Sequence, residues 1–265
     1  MTRTSKLLRK GLTACALAAA SLAPLTANAA VTQLGFILDR SGSIGLGNWT
    51  TIINGLSSAV NTLVPLGGTY EISVVTFSSS ATLDINSFLV TDAASRTALA
   101  GLISGIVFTG GGTNFAPAFT LMNTALTDAI GLNGGGTTAA NAAASFVNFA
   151  TDGVEGDAVA GVAARNALIA AGIDNISIEG IGSGVDALGL QGSYCFPSPC
   201  DTTVPYNFPA QGFYVAVASA ADYGSAIANK IQVVTGQVPE PGSMALIGAA
   251  LLAAGAARRR RAIAA

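Results

Sequence analysis

A chain of 265 residues that is 51% hydrophobic and 10% charged is long enough to bury one large core or two small ones. It contains no histidine, which excludes a Ser-His-Asp nucleophile and a histidine general base. Its twelve Lys and Arg gather mostly at the two ends, which excludes a nucleic-acid-binding face, because neutralising phosphates needs cations clustered on one surface.

Residues 1–29 read as a secretory signal. Arg3, Lys6, Arg9 and Lys10 form a basic head, Gly11 to Leu25 an apolar middle, and Ala27-Asn28-Ala29 a small-x-small cleavage site. An N-terminal membrane anchor is the weaker reading, because the apolar run is shorter than the ~20 residues a spanning helix needs.

From there strand-like and helix-like segments alternate. Val31 to Leu38 is a strand that ends abruptly in Asp39-Arg40-Ser41-Gly42-Ser43. A helix opens at Asn48 or Thr50, carries Ile52, Ile53, Leu56, Val60, Leu63 and Val64 on one face, and stops before Pro65; Trp49 packs at its start. Tyr70 to Phe77 and Ala81 to Leu89 are joined by three serines, a link so short that it permits only a hairpin. A helix then runs from Asp92, its cap, to Ile106. After Gly110-Gly111-Gly112-Thr113-Asn114 comes a helix over Phe115 to Ile130, with Pro117 in the first turn where its missing N–H costs nothing.

A glycine-rich link, Gly131 to Thr138, leads to the strand Ser145 to Ala150, which ends in Thr151-Asp152-Gly153 just as the first strand ends in Asp39. Asp157 to Ala171 is helical, Ile176 to Ile181 and Phe213 to Ala218 are strands, and Asp222 to Val233 is a last helix. The pattern predicts an α/β fold: a Rossmann-like, doubly wound, mostly parallel six-stranded sheet with one antiparallel edge strand and helices on both faces. Residues 182–212, rich in Gly, Pro and aromatics, read as an insertion too long for an ordinary link, placed at the carboxyl end of the sheet as a candidate partner-contacting loop or a mere decoration.

The last segment, 238–265, begins Val238-Pro239-Glu240-Pro241, continues as an uncharged run from Met244 to Ala257, and closes on Arg258 to Arg261. These three features in this order resemble the PEP-CTERM sorting signal of Gram-negative bacteria. The resemblance implies export through the inner membrane, transient membrane association through the C-terminal segment, cutting by an exosortase-type enzyme, and delivery to the cell surface or extracellular matrix. A permanent anchor is the weaker reading, since ~15 residues at ~1.5 Å rise fall short of a ~30 Å hydrocarbon core.

Removing both ends leaves four cations, Arg40, Arg96, Arg165 and Lys230, against thirteen acids, so the remaining domain is strongly acidic and cations are its natural ligands. It also leaves Cys195 and Cys200 as an even pair in an exported chain. That predicts a local disulfide across Phe196-Pro197-Ser198-Pro199, a clip on a surface loop.

Three polar clusters fall at strand ends or in loops on one side of the predicted sheet: Asp39-x-Ser41-x-Ser43, Thr113, and Asp152. Singly, each acid also reads as a helix cap and the glycines as a turn. Together they supply two carboxylates and three hydroxyls, hard oxygen donors that suit Mg²⁺, Mn²⁺ or Ca²⁺ and not zinc or copper. In order and spacing they resemble the metal-ion-dependent adhesion site (MIDAS) of von Willebrand factor type A (vWA) domains, with the match covering roughly residues 31–234 of the 30–237 domain. The resemblance implies that Ser41, Ser43 and Thr113 bind the cation, most naturally Mg²⁺, with Asp39 and Asp152 holding it directly or through water. It also implies a partner that completes the coordination: a protein offering an Asp or Glu carboxylate, or a surface polysaccharide or matrix component.

The expected function is a cation-dependent adhesion module without catalysis. Two alternatives stay open: a matrix or biofilm protein whose ion only stabilises the fold, and a Mg²⁺-dependent hydrolase. A phosphatase of the haloacid dehalogenase type would need a second acid at position 41, where serine stands, and no Gly-Lys-Ser/Thr follows the glycines as a P-loop requires.

Overall fold

The computed structural model describes residues 30–236. The secretory signal expected at 1–29 and the sorting segment expected at 238–265 lie outside the described residues. Among the described residues no helix is long and apolar enough to cross a membrane.

The chain alternates as expected. It runs β1 (Thr32–Asp39), α1 (Gly45–Leu63), β2 (Tyr70–Phe77), β3 (Ala81–Leu89), α2 (Ala93–Ser104), α3 (Phe115–Thr127), β4 (Ala144–Thr151), α4 (Ala158–Ala170), β5 (Asn175–Ile181), α5 (Ala187–Ser193), β6 (Tyr214–Val217) and α6 (Ala220–Val234). The six strands form one sheet in the order β3-β2-β1-β4-β5-β6, in which only the β2–β3 hairpin is antiparallel. β1 is buried from Gln33 to Asp39, as a central strand covered on both faces must be. Leu34, Phe36 and Leu38 point into the layer formed with α1, α2 and α6, and Ile37 into the layer formed with α3, α4 and α5.

The strand order reverses beside β1: α1 carries the chain to β2 on one side, and β4 later returns to the other. The carboxyl ends of β1 and β4 therefore flank a crevice of the kind in which open α/β sheets bind ligands. In register Leu38 lies opposite Ala150, so Asp39 and Thr151 emerge side by side at its rim.

Two elements differ from expectation. α1 begins at Gly45, ahead of Asn48; its cap position is Ile44, which offers no side-chain bond, so the local sequence carries no start signal. Trp49 is nevertheless buried near the start, its indole N–H donating to the Ile106 carbonyl at 3.0 Å.

Residues 182–212 are not an insertion perched at the carboxyl end. β6 lies parallel to β5, so the chain must return to the amino end of the sheet before β6 begins, and this stretch is that return. It passes through α5 and then lies against the start of β5, where Phe196 pairs with Ile176 and the Asn175 amide donates to the Gln211 carbonyl at 2.8 Å. The expected disulfide joins Cys195 and Cys200, and Cys195 is buried in the core, so the clip fastens the crossover from within.

Glycines set the closest packing of α6 on α1. A Cβ on Gly55 would meet the Gly224 backbone at 2.9 Å, whereas one on Gly47, in the same helix, would meet nothing within 4 Å. Gly55→Ala should therefore cost roughly 1–3 kcal/mol by forcing two backbones apart, while Gly47→Ala should be neutral or stabilise by about 0.5–1 kcal/mol through helix propensity. Urea unfolding of the two variants measures the difference.

Candidate metal centre

The site is built on a buried carboxylate. Asp39 is 2% exposed. Its Oδ1 accepts the backbone N–H of Ser41 at 2.8 Å, and its Oδ2 accepts the hydroxyl of Thr151 at 2.6 Å. The first bond curls the chain after β1 into a tight turn that brings Ser41 and Ser43 up beside each other, their hydroxyl oxygens 2.9 Å apart. Ser43 then donates to Asp152 Oδ1 at 2.7 Å. Asp39, Ser41, Ser43 and Asp152, expected together from the sequence, thus form one hydrogen-bonded run across the β1–β4 crevice.

Thr113 arrives from the opposite side. Gly42 N–H donates to the Gly111 carbonyl at 2.8 Å and Gly110 N–H to the Arg40 carbonyl at 3.2 Å, so two backbone bonds tie the glycine loop to the turn after β1. Gly110 and Gly111 hold φ of 68° and 106°, a region in which a side chain is strained. Thr113 itself lies against Gly153, where a Cβ would come within 3.1 Å of its hydroxyl oxygen, one residue beyond Asp152.

Below the loop, Phe115 inserts edge-on between Phe77 and Phe149, at 5.5 and 4.8 Å between ring centroids, and anchors the start of α3 in the core. Arg40, next to Asp39 in sequence, points away: its guanidinium donates to Val107 O and Thr82 Oγ1 and lies 4.0 Å from Asp84.

Three supporting residues had no role in the sequence reading. Thr151 stood in a quoted triplet, yet only the parallel register reveals that it caps Asp39. Ser79, in the β2–β3 hairpin, accepts Gly112 N–H at 2.7 Å. Glu155 accepts Phe115 N–H at 3.2 Å and the Tyr194 hydroxyl, joining the loop after β4 to the start of α3 and to α5's end. Nothing in its glycine-flanked surroundings marks it as half-buried.

The electrostatics suit a cation. Burial pushes the Asp39 carboxyl up from its ordinary range, against the bonds from Ser41 and Thr151 that lower it, and the charge of Asp152 adds to the rise. Burial also raises Asp152, against the bond from Ser43. Two carboxylates whose ionised forms are disfavoured lie beside hydroxyls whose lone pairs are hard donors, and a bound divalent ion relieves that cost. The donor set fits Mg²⁺, Mn²⁺ or Ca²⁺. Among the described residues no three His, Cys, Asp or Glu side chains cluster, so the donors here are two carboxylates and three hydroxyls.

Comparison with known proteins bears on the family and the fold. The family profile of the von Willebrand factor type A domain matches residues 33–190, and that of the PEP-CTERM protein-sorting motif matches residues 237–261. No curated protein matches the chain.

Among solved structures it is similar to proximal thread matrix protein 1 of the mussel byssus, at 15% identity over 77% of this chain and 48% of that one with a TM-score of 0.59. A form of that protein described as having a zinc-occupied MIDAS motif matches at 17% identity over 78% and 46%, with a TM-score of 0.54. The manganese-loaded TRAP protein of Plasmodium vivax matches at 20% identity over 75% and 71%, with a TM-score of 0.51. The pilus adhesin SpaC of Lactobacillus rhamnosus GG matches at 14% over 77% and 30%, with a TM-score of 0.51. The chain thus spans about half the length of the mussel protein, and likeness at these identities establishes the fold.

Two expectations follow from the hydrogen bonds. Thr151→Val removes the donor to a buried carboxylate oxygen and should lower the cation-free unfolding free energy by about 1–3 kcal/mol, read by urea denaturation in excess chelator. Glu155 titrates from an ordinary value of 4.5 to about 7, chiefly through burial. Its folded pKa lies above its unfolded one, so the folded state binds more protons between those values, and stability falls as pH rises through that window. Glu155→Gln should flatten this part of a Tm-against-pH curve without abolishing it, because Asp39 and Asp152 are raised too.

Proposed function

The chain belongs to the von Willebrand factor type A domain family, and from that premise we propose that it is an exported adhesion module in which a divalent cation at the β1–β4 crevice captures a carboxylate of a partner. Ser41, Ser43 and Thr113 hold the ion with their hydroxyl oxygens, and Asp39 and Asp152 supply the charge. The observation that carries this reading is the unbroken run from Asp39 through Ser41 and Ser43 to Asp152, which gathers hard oxygen donors at the switch point of the sheet.

When bound, the ion would supply two positive charges that Asp39 and Asp152 balance formally from one side, while neutral hydroxyl and water ligands would fill the rest of its shell, so an anionic partner group could replace a water there. The chain's own residues do the positioning. Asp39, engaged at both oxygens, fixes the turn that presents the serines; Ser43 keeps its proton directed at Asp152, so Ser41 is the donor to Ser43 and one Ser43 lone pair remains for a cation; and Phe115 anchors the loop that carries Thr113. Mg²⁺ fits this small all-oxygen set best, with Mn²⁺ and Ca²⁺ as alternatives. The zinc-occupied MIDAS motif of the byssus protein supports a divalent ion in a site of this kind, and because that ion is zinc, a hard oxygen donor set does not by itself exclude zinc; the manganese-loaded TRAP protein is a second similar structure carrying a divalent ion.

The C-terminal sorting motif supports export and processing by an exosortase-type enzyme, with delivery to the surface or extracellular matrix of a Gram-negative cell. A pilus adhesin and a byssus matrix protein among the similar structures support a binding role over a catalytic one. The matrix protein also favours a second reading, in which the ion only stabilises the fold.

Calorimetric titration with Mg²⁺, Mn²⁺ and Ca²⁺ tests the site. Asp39→Ala and Thr113→Ala should each weaken cation affinity at least ~tenfold, whereas equal affinity in all three proteins would contradict the assignment. Pull-down with an aspartate-bearing peptide in Mg²⁺ and in chelator separates the two readings: capture only with Mg²⁺ supports adhesion, and a rise in Tm without capture supports the structural ion.

A further inference from the structure

A cluster of polar side chains lies buried beneath α6, apart from the cation site. Asn148 of β4 pairs in register with Ser177 of β5, and Ala150 with Glu179, so Asn148 and Glu179 point to the same face of the sheet. That face is the one α6 covers, and Tyr223 and Lys230, seven residues apart and so on one side of the helix, come down onto it. All four side chains are buried: Glu179 and Tyr223 are 0% exposed, Lys230 3% and Asn148 6%. Lys230 Nζ stands 2.9 Å from Glu179 Oε1 and 5.1 Å from the centre of the Phe213 ring.

An ion pair alone leaves this cluster poorly satisfied. Beyond that contact, Lys230 Nζ, both Glu179 oxygens, Nδ2 and Oδ1 of Asn148 and the Tyr223 hydroxyl make no hydrogen bond of ordinary geometry; they are six of the twelve buried side-chain polar atoms so left among the described residues. Buried polar atoms are nearly always met in a folded interior, so their concentration at one place calls for a cause. Asn148 and Lys230 line the same cavity of about 20 Å³, with Phe36, Phe146 and Ser177 around them. Burial raises Glu179 and Tyr223, and the Asn148 side chain lies close enough to both to oppose the rise. Burial also lowers the Lys230 ammonium to about 8. Proton transfer from Lys230 to Glu179 therefore yields a neutral amine, which is a nucleophile, and a carboxylic acid, both beside an amide.

We propose that Lys230 and Asn148 join in an intramolecular isopeptide bond, with Glu179 carrying the protons, so that α6 is covalently tied to β4. Lys230 first gives a proton to Glu179. The Nζ lone pair then attacks Asn148 Cγ and forms the C–N bond, while the Glu179 acid donates its proton to Oδ1. The carboxylate so formed takes the excess proton from Nζ and delivers it to Nδ2. The Cγ–Nδ2 bond breaks with its electron pair on nitrogen, ammonia leaves, and the Oδ1 proton returns to Glu179. An amine and a primary amide become a secondary amide and ammonia, with no oxidant or cofactor required. The product replaces a buried ion pair by neutral groups, which removes the cost of keeping two charges out of water. The inference does not depend on the cation reading. It places a covalent link between the last helix before the sorting motif and the strand that leads into Asp152, so tension between the two ends of the domain would pass through an amide and not through α6 packing alone.

Electrospray mass measurement of the purified full chain, with the disulfide reduced, tests the bond. Terminal processing is common to the wild type and Lys230→Met, so after allowance for the substitution the wild type should be lighter by about 17 Da, the mass of the ammonia lost. Trypsin should fail to cut after Lys230 and should release a peptide in which residues 97–165 are joined to the segment around Lys230. Glu179→Gln should lose the cross-link in most molecules. A wild-type chain of unreduced mass would overturn the proposal, and so would loss of ammonia without the joined peptide, which marks cyclisation of an asparagine on its own backbone. A cross-link formed to the wild-type extent in Glu179→Gln would contradict the part given to Glu179. The wild type itself gives the decisive reading, so a variant that fails to fold leaves the test intact.

Discussion

A carboxylate placed at the end of a central strand, with both oxygens already taken, organises the crest of this sheet. Asp39 cannot be left bare in a buried setting, because an ionised carboxylate without donors costs several kcal/mol or is forced to hold its proton. Its two donors come from different parts of the chain: Ser41 N–H from the turn it creates, and Thr151 Oγ1 from the neighbouring strand. The same pair of bonds that solves the burial problem locks β1 to β4 at the switch point and presents the turn whose Ser43 hydroxyl meets Asp152, with the Ser41 hydroxyl behind it. Stability and site geometry are therefore carried by one set of atoms.

The rest of the fold supports that crest from beneath. On one face the rings of Phe77, Phe115, Phe119, Phe149 and Tyr194 pack at 4.8 to 5.9 Å between centroids and seat the loop that brings Thr113 in. On the other face, α6 is held to the sheet by the buried pair of Lys230 and Glu179, where burial lowers the lysine to about 8 and raises the glutamate. A buried pair of this kind adds little net stability, but removing one partner leaves a buried charge uncompensated at roughly 3–5 kcal/mol. It therefore dictates where α6 lies.

Most of this was legible in the sequence, for identifiable reasons. Asp39 and Asp152 stood out because each ends an apolar strand abruptly, and the interval of ~110 residues between them is filled by strand and helix signals that only a doubly wound sheet accommodates. What stayed hidden depended on register or on long-range return. Thr151 could be assigned to Asp39 only once Leu38 was known to lie opposite Ala150. The start of α1 was misplaced because Ile44 offers no capping side chain. Residues 182–212 looked like an insertion because a return path made of a seven-residue helix and a disulfide-clipped loop has no long periodic helix to betray it. The burial of Arg40 and Lys230 was equally invisible, since composition counts charges without saying which way they point.

The proposed function requires a divalent ion where Asp39, Ser41, Ser43, Thr113 and Asp152 converge. Crystals grown in Mn²⁺ and measured above and below the manganese absorption edge test it most directly. An anomalous peak is expected in the β1–β4 crevice within about 2.0–2.3 Å of the Ser41 and Ser43 hydroxyl oxygens. A peak elsewhere on the domain, with the crevice filled only by water, would contradict it.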